Sequence, residues 1–452
     1  MFPEVEGFTS AVPSKRDISS FTAAIRLELV HVFLESDLGL LRLLSREVLR
    51  AVSLLMTKLE GLVSSTAEVF RIQFKEGTCI RNSQQENNFL IAVLLIGLCD
   101  SLQILPIEVL KQAQESGGEP RRSVTAQEAF KAEALDIMRA GATDSSIAAI
   151  QRNLCEVVMM PTVNAVSHFT KECLITLITN DPLPSTGFKR SGVGVGSTSC
   201  SPTIRGLELI FPAVVKAHIQ SLPQSKIAED VMEEVCLRLI THFVSIASMV
   251  RPFSESVRAS ALADIAVVEA LVKCSANVAK QLENTNCANP VTRELRAFRS
   301  ILHIGALSEP INSAKNIAML KSDSFSRSMR PSSMLTYLIS MAPPQLPSPA
   351  EVDELSAASC LLMLAALPNR QTGVDYGINS AFGMESILWQ HCRNVRVNVG
   401  QSQFWTIVLR CLDIFMQRGA VAEDPKAREL MRQWYELIAE IGGHFFKADI
   451  LV

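Results

Sequence analysis

The sequence predicts an all-α protein of stacked helical bundles forming an elongated rod, and three observations carry that prediction. Apolar residues recur at three-and-four spacing over long stretches, and no segment alternates strictly enough to mark a strand. The 21 glycines and 20 prolines cluster between those stretches, where helix connections belong. Apolar residues make up 48% of the chain and mean hydropathy is +0.22, which calls for a large buried core or apolar partner surfaces. At 452 residues the chain holds two or three packed units of roughly 150 residues each.

The organisation read along the chain is an N-terminal tail over 1–17, a first helical bundle over 18–180, a flexible Gly/Ser/Pro loop over 181–203 and a second bundle or bundles over 204–452. The first helical stretch starts near Ser19 and Ser20 and runs through Phe21, Leu27 and Val30. The next spans about Ser36 to Phe70, where Leu40, Leu41, Leu44, Val48, Val52, Leu55, Leu59 and Leu62 form one apolar stripe. Ser83-Gln84-Gln85-Glu86 has the form of a capping box, in which serine and glutamate satisfy two otherwise unpaired amides. The helix it opens is expected to stop at Pro106. Thr125-Ala126-Gln127-Glu128 is a second box, opening a helix that ends near Gly141. A further helix runs from about Asp144 to Thr179. Pro161 kinks or splits it, because proline removes a donor and clashes with the preceding turn.

Beyond the loop, a helical run ends at Val250-Arg251-Pro252, and a second passes through Val257, Leu262, Ile265 and Val268. Pro290 precedes a helix carrying Leu295, Phe298 and Leu302. Ser313 to Arg330, with its lysines, arginines and serines, reads as a solvated connector. Pro331 leads into Leu335, Tyr337 and Leu338. Ser348-Pro349-Ala350-Glu351 is a third capping box with proline at the first helical position, where its missing N–H costs nothing. Gln401 to Arg418 is an apolar helix stopped by Gly419. Asp424-Pro425 opens the last helix, which carries Leu430, Trp434, Leu437 and Ile441 to Gly442-Gly443. No repeat of fixed period appears, which weighs against a regular solenoid.

The chemistry-bearing residues are sparse. A net charge of −3, from 43 basic and 46 acidic residues, argues against nucleic acid as a partner, since that binding runs on phosphate neutralisation. Residues 1–6 carry neither the basic nor the apolar region of a secretory signal. The longest apolar run, Phe89 to Cys99, is far shorter than the roughly 20 residues of a membrane span and is expected to be a buried helix. Eleven cysteines without a CxxC pair, most of them in apolar stretches (Cys99, Cys173, Cys236, Cys360, Cys411), read as small hydrophobes in a reducing compartment.

Gly192-Val193-Gly194-Val195-Gly196 lacks the flanking strand and helix of a phosphate loop, and the adjoining Lys189 and Arg190 bring too little charge to anchor the chain on acidic lipid. No two histidines have zinc-site spacing, and adjacent His391 and Cys392 face different sides of a helix. No GxSxG elbow occurs. Glu233 and Glu234 are assigned to a solvated face, and Trp389, Trp405 and Trp434 to the core. We assign no catalytic, cofactor-binding or metal residues. Arg293, Arg296 and Arg299, spaced by three, form either a solvated basic ridge or a docking ridge for an acidic partner helix.

The order and spacing of Arg251-Pro252, of Leu295 to Leu302 with Arg296 and Arg299 around Phe298, and of Pro331 to Pro349 through Tyr337, Pro343 and Pro344 resemble the subunit-five family of the conserved oligomeric Golgi complex. Weaker collinear likeness extends over Ile18–Leu62, Gln85–Leu102, Ala126–Thr179 and Gly206–Val250, and it corresponds to roughly the second half of a family member. The 181–202 loop is longer and richer in glycine than the family pattern. The resemblance implies a helical-rod tether with no enzymatic activity and no cofactor. It also implies action in intra-Golgi retrograde transport, with the chain peripheral on the cytosolic face of the Golgi membrane and in the cytoplasm. The implied partners are the other subunits of the complex, above all subunit seven, with no nucleic acid and no small-molecule substrate. The resembling positions Arg251, Pro252, Arg296, Phe298, Arg299, Pro331, Tyr337, Pro343 and Pro344 are then structural or docking residues. A different all-helical scaffold, of HEAT or armadillo type or from another tether, is the alternative reading.

Overall fold

The computed structural model describes residues 14–64, 66–116, 124–179, 200–251, 255–275, 290–304, 311–322, 325, 328–353, 401–420 and 424–446. The fold is all-α, with one short hairpin among the described residues. The tail over 1–13, the loop over 181–199, Pro252, Cys360, Trp389 and the His391-Cys392 pair lie outside the described residues. The chain divides into two compact units. One comprises Met1–Gln73, Ile80–Ala165 and Lys216–Val231; the other comprises Phe74–Cys79, Val166–Val215 and Met232–Val452.

In the first unit, α1 (Lys15–Leu34) starts ahead of the expected serines. Ser14 and Asp17 make a reciprocal capping box: the Asp17 amide donates to Ser14 Oγ at 3.3 Å and the Ser14 amide to Asp17 Oδ2 at 2.7 Å. Asp37 caps α2 (Leu38–Glu60), accepting from Gly39 and Leu40. Leu41, Val48, Val52, Leu55 and Leu59 are its buried stripe. Leu40, expected in that stripe, is exposed because it stands one residue, about 100°, away from the core-facing line. The helix stops at Glu60; further on, Gln73–Lys75 (β1) pairs with Thr78–Ile80 (β2), a hairpin whose residues Phe74–Cys79 belong to the other unit. The turn between them needs positive φ at Glu76 (52°) and Gly77 (79°). Strands of three residues are too short to show alternation, so the sequence pattern passed over them.

The helix α3 (Ser83–Glu115) corrects two expectations. Its cap is Asn82 with Gln85, one residue before the expected Ser83 and Glu86. Asn82 wins because its side chain serves twice: the Oδ1 accepts from the Gln85 amide, and the Nδ2 donates to Glu68 O at 2.8 Å. The helix also passes through Pro106. The roughly 3 kcal/mol that an interior proline costs is offset by burial of Leu102, Leu105 and Val109 on either side of it. Within Phe89–Cys99, Ile91, Leu95 and Leu98 are buried as expected, while Leu90 is exposed.

Three α-helical stretches, α4 (Val124–Ile137), α5 (Ser145–Asn153) and α6 (Met160–Thr179), are separated by π turns at Met138–Asp144 and Leu154–Val158. Thr125 therefore lies inside α4, and Gly141 does not end a helix. A side chain at Gly141 would come within 2.9 Å of Ser45 Cβ, so the glycine marks a close approach to α2. The helical run is interrupted at Met159, and Pro161 sits in the first turn of α6.

Arg81 ties the start of α3 to residues 217–221. Its Nε donates to Glu86 Oε2 at 2.6 Å and its Nη1 to Ala217 O at 2.5 Å and Ser221 Oγ at 2.9 Å, and the guanidinium lies 3.6 Å from the Phe89 ring centroid. Burial of the adjoining His218, with Arg81 nearby, pushes its imidazole down to about 4. The ordinary, unfolded value is near 6.5, so below that pH the unfolded chain binds the extra proton first. Stability from this group is complete above pH ~6.5 and is lost as pH falls toward 4, by roughly 3 kcal/mol in all. Urea melts of the wild type and His218→Leu at pH 7 and pH 4 should show a smaller acid loss in the variant. Equal losses would contradict a buried neutral imidazole.

Further along the chain, α7 (Pro202–Val215), α8 (Lys226–Ala247), which belongs to the second unit from Met232 on, and α9 (Glu255–Ser275) are followed by α10 (Pro290–Ile301), α11 (Ala314–Lys321) and α12 (Pro331–Met341). The one-turn α13 (Pro349–Val352), α14 (Gln401–Ala420) and α15 (Pro425–Phe446) complete the order. The capping box at Ser348 and Glu351 forms as expected. The stretch from Ser313 to Arg330 is no solvated connector. Asn316 and Leu320 of α11 are buried, as are Phe325, Met329 and Arg330. Lys321 Nζ meets Glu440 of α15 at 2.6 Å, and Asn312 Nδ2 donates to Glu436 at 2.8 Å. The helix α14 continues through Gly419, and α15 continues through Gly442 and Gly443. Trp405 of α14 lies on the backbone at Gly442, so that glycine is a packing residue and not a stop.

Candidate functional site: a buried polar node in the second unit

The charges that the sequence places on surfaces lie partly in the core. Glu234, assigned to a solvated face, is buried on α8 and accepts from Arg238 Nε, one turn on, at 2.7 Å. One turn further, α8 presents Thr241 and Ser245, and Ser248 follows directly after its last residue; all three are buried. Ser245 Oγ donates to Thr241 O at 2.8 Å and Ser248 Oγ to Ser245 O at 2.7 Å, the back-bonding that lets small hydroxyls sit inside a helix.

Arg330 reaches this row from the N-cap position of α12. Its Nε donates to Glu294 Oε1 of α10 at 2.7 Å, and its Nη2 donates to Thr241 O and to Ser245 Oγ, each at 2.9 Å. Both charges are at most 6% exposed. One guanidinium therefore joins α8, α10 and the head of α12. Pro331 sets the helical φ directly after it. On the same pair of helices, Phe298 meets Tyr337 edge to face, with ring centroids 5.6 Å apart. Burial raises the Tyr337 hydroxyl, and the positive charge of Arg258 on α9 opposes that shift. Ser340 Oγ donates to Ser248 O at 2.6 Å, closing the end of α8 against α12.

The remaining resembling positions are dispersed. Arg251 does not satisfy the last carbonyls of α8; Ser340 takes Ser248 O, and Arg251 Nη1 lies 3.9 Å from Glu351 Oε1. Arg296 and Arg299 are exposed and lean on Glu269 of α9 at 4.0 and 3.9 Å, where Lys273 also sits at 3.0 Å. Pro343 and Pro344 form the turn after α12, with Leu346 N donating to Pro343 O. Trp405 and Trp434 are core residues as expected. Arg330 and Glu294 were missed in the sequence. The signal for Arg330 was its place directly before Pro331; none marked Glu294.

Chemically, this arrangement holds helices together. Burial drives the thiols of Cys99, Cys155, Cys173, Cys236 and Cys411 up to about 12, which keeps them neutral and poorly nucleophilic. Among the described residues, no group of three or more His, Cys, Asp or Glu side chains is placed to hold a metal ion. The chain matches no protein-family model, no curated protein and no solved structure.

Proposed function

We propose that this chain is a non-enzymatic scaffold subunit of a multisubunit vesicle-tethering complex of the conserved oligomeric Golgi type, acting in intra-Golgi retrograde transport. The observation that carries this reading is where the resembling residues fall. Phe298 meets Tyr337 at the α10–α12 contact, and Pro331 directly follows Arg330 of the buried Arg330–Glu294 pair, so the segments bearing the resemblance contribute to a helix framework. A framework of that kind suits a protein whose work is to hold others. Modest contacts to several subunits, linked in one assembly, raise the effective concentration of vesicle and target membrane for each other. Subunit seven of the complex is the direct partner in this reading, and contact with the Golgi membrane is peripheral, through the complex.

Affinity purification of the tagged chain from its native cell, with quantitative mass spectrometry, tests the reading. The expected result is recovery of the other tether subunits, with the subunit-seven homologue most abundant. Their absence around a well-expressed, folded bait would overturn it.

A further inference from the structure

We propose that the outward face of α3 is an isologous docking surface for a second copy of this chain, with the two α3 helices antiparallel; this stands independently of the tether reading. The helix carries two apolar seams. Ile91, Leu95, Leu98, Leu102, Leu105 and Val109 face the core. On the opposite side Leu90, Val93, Gly97, Asp100, Ile104 and Ile107 follow each other at alternating steps of three and four, the heptad spacing of a helix–helix seam. Leu90, Ile104 and Ile107 are 46%, 51% and 61% exposed. The seam is about 26 Å long. By length and composition α3 is apolar enough to cross a membrane, although 56% of its most apolar window is buried, so its outer face is unusually apolar for one turned to water.

Gly97 points to a helix as the occupant. A glycine within a helix costs about 1 kcal/mol relative to alanine. A Cβ at Gly97 would meet nothing within 4 Å, so no described neighbour requires its absence. It leaves a notch at the middle of the seam, where another helix can cross closely.

The order of residues points to a second copy, because the seam is its own complement when reversed. In one antiparallel register Leu90 faces Ile107 of the second copy, Val93 faces Ile104, and Asp100 falls over the notch at Gly97. The same register sets Glu86 opposite Lys111, and both are open to solvent, with side chains 45% and 76% exposed. Glu86 already receives Arg81 on Oε2, and Lys111 is only loosely engaged by Glu115 at 4.0 Å. A parallel pairing in register would instead place Asp100 against Asp100. One helix pair is at the small end of specific interfaces, so association in the micromolar range is expected.

Sedimentation of the purified full chain over a micromolar concentration series tests this, comparing the wild type with Gly97→Leu. Leucine enters open space and is the better helix former, so the variant should melt no earlier while losing the dimer. Register is read from Leu90→Cys combined with Ile107→Cys under mild oxidation. The double variant should form an intermolecular disulfide between positions 90 and 107, identified by mass spectrometry. Leu90→Cys alone should form none, because its two copies would lie about 26 Å apart and a disulfide needs Cα atoms within about 7 Å. A chain monomeric throughout would overturn the inference, as would a dimer that Gly97→Leu leaves intact. A monomer that instead binds phosphatidylcholine/phosphatidylserine vesicles, and loses that binding on Ile104→Glu, would overturn it in favour of a lipid surface.

Discussion

Arg330→Met should lower the unfolding free energy by about 3–5 kcal/mol, because it leaves Glu294 as a buried carboxylate with its cation removed. The loss exceeds that of a surface ion pair, which is worth about 1 kcal/mol at most. Arg42→Ala, which breaks an exposed pair with Glu133, provides that internal comparison. The second arm of the test is the double variant Arg330→Met with Glu294→Leu. With both charges gone, nothing is stranded, and packed apolar side chains of similar volume often match or exceed a buried pair. The double variant should therefore recover most of the stability lost by the single one. Urea denaturation of the three variants beside the wild type measures this. A single-variant loss as small as that of Arg42→Ala would mean that Arg330 does not hold α8, α10 and α12 together in the way its hydrogen bonds imply.

Gly442→Ala is the second large effect, and it runs against helix propensity. Alanine should stabilise an exposed helix interior by about 1 kcal/mol over glycine. Here its Cβ would come within 2.8 Å of Trp405 Cε3 and closer still to Cζ3 and Cη2. Trp405 is among the largest fully buried side chains, so the ring has nowhere to move without displacing its neighbours. Overpacking of this kind costs about 1–3 kcal/mol and sometimes more, and we expect the upper end. Trp405→Leu opens a cavity and is itself costly, but it removes the clash. In a double-mutant cycle the two substitutions should be less damaging together than the sum of their separate effects, with coupling of about 1 kcal/mol or more. Additive effects would show that Gly442 and Trp405 do not share the space assigned to them.

Gly442 also shows why parts of the fold escaped the sequence. Gly419 and Gly442-Gly443 carry the composition of a helix stop, and Pro106 that of a helix break. Packing overrides two of them: Trp405 lies on Gly442, and the burial of its neighbours on α3 offsets Pro106. The polar node escaped for the same reason. Glu294 and Arg330 are separated by 36 positions, and Arg330 and Thr241 by 89, so no local pattern shows that their charges meet. Glu234 looked like half of a solvated pair because burial is a property of what packs on α8, and the helix's own sequence is silent on that. The outer seam of α3 was visible as apolar residues, but which of its two seams faces the core was not.

Where the interactions span only a few residues, the sequence by itself determined the result. The all-α class, the Ser348 and Glu351 capping box, proline at the heads of α10 and α12, and the core placement of Trp405 and Trp434 follow from periodicity and from contacts within one helical turn. Only the tertiary structure decided which charges are buried and paired, which glycines lie under a ring, and which apolar stripe of a two-seamed helix is left exposed. Those outcomes depend on desolvation and excluded volume imposed by residues distant along the chain, and such terms outweigh the roughly 1 kcal/mol preferences that local sequence expresses.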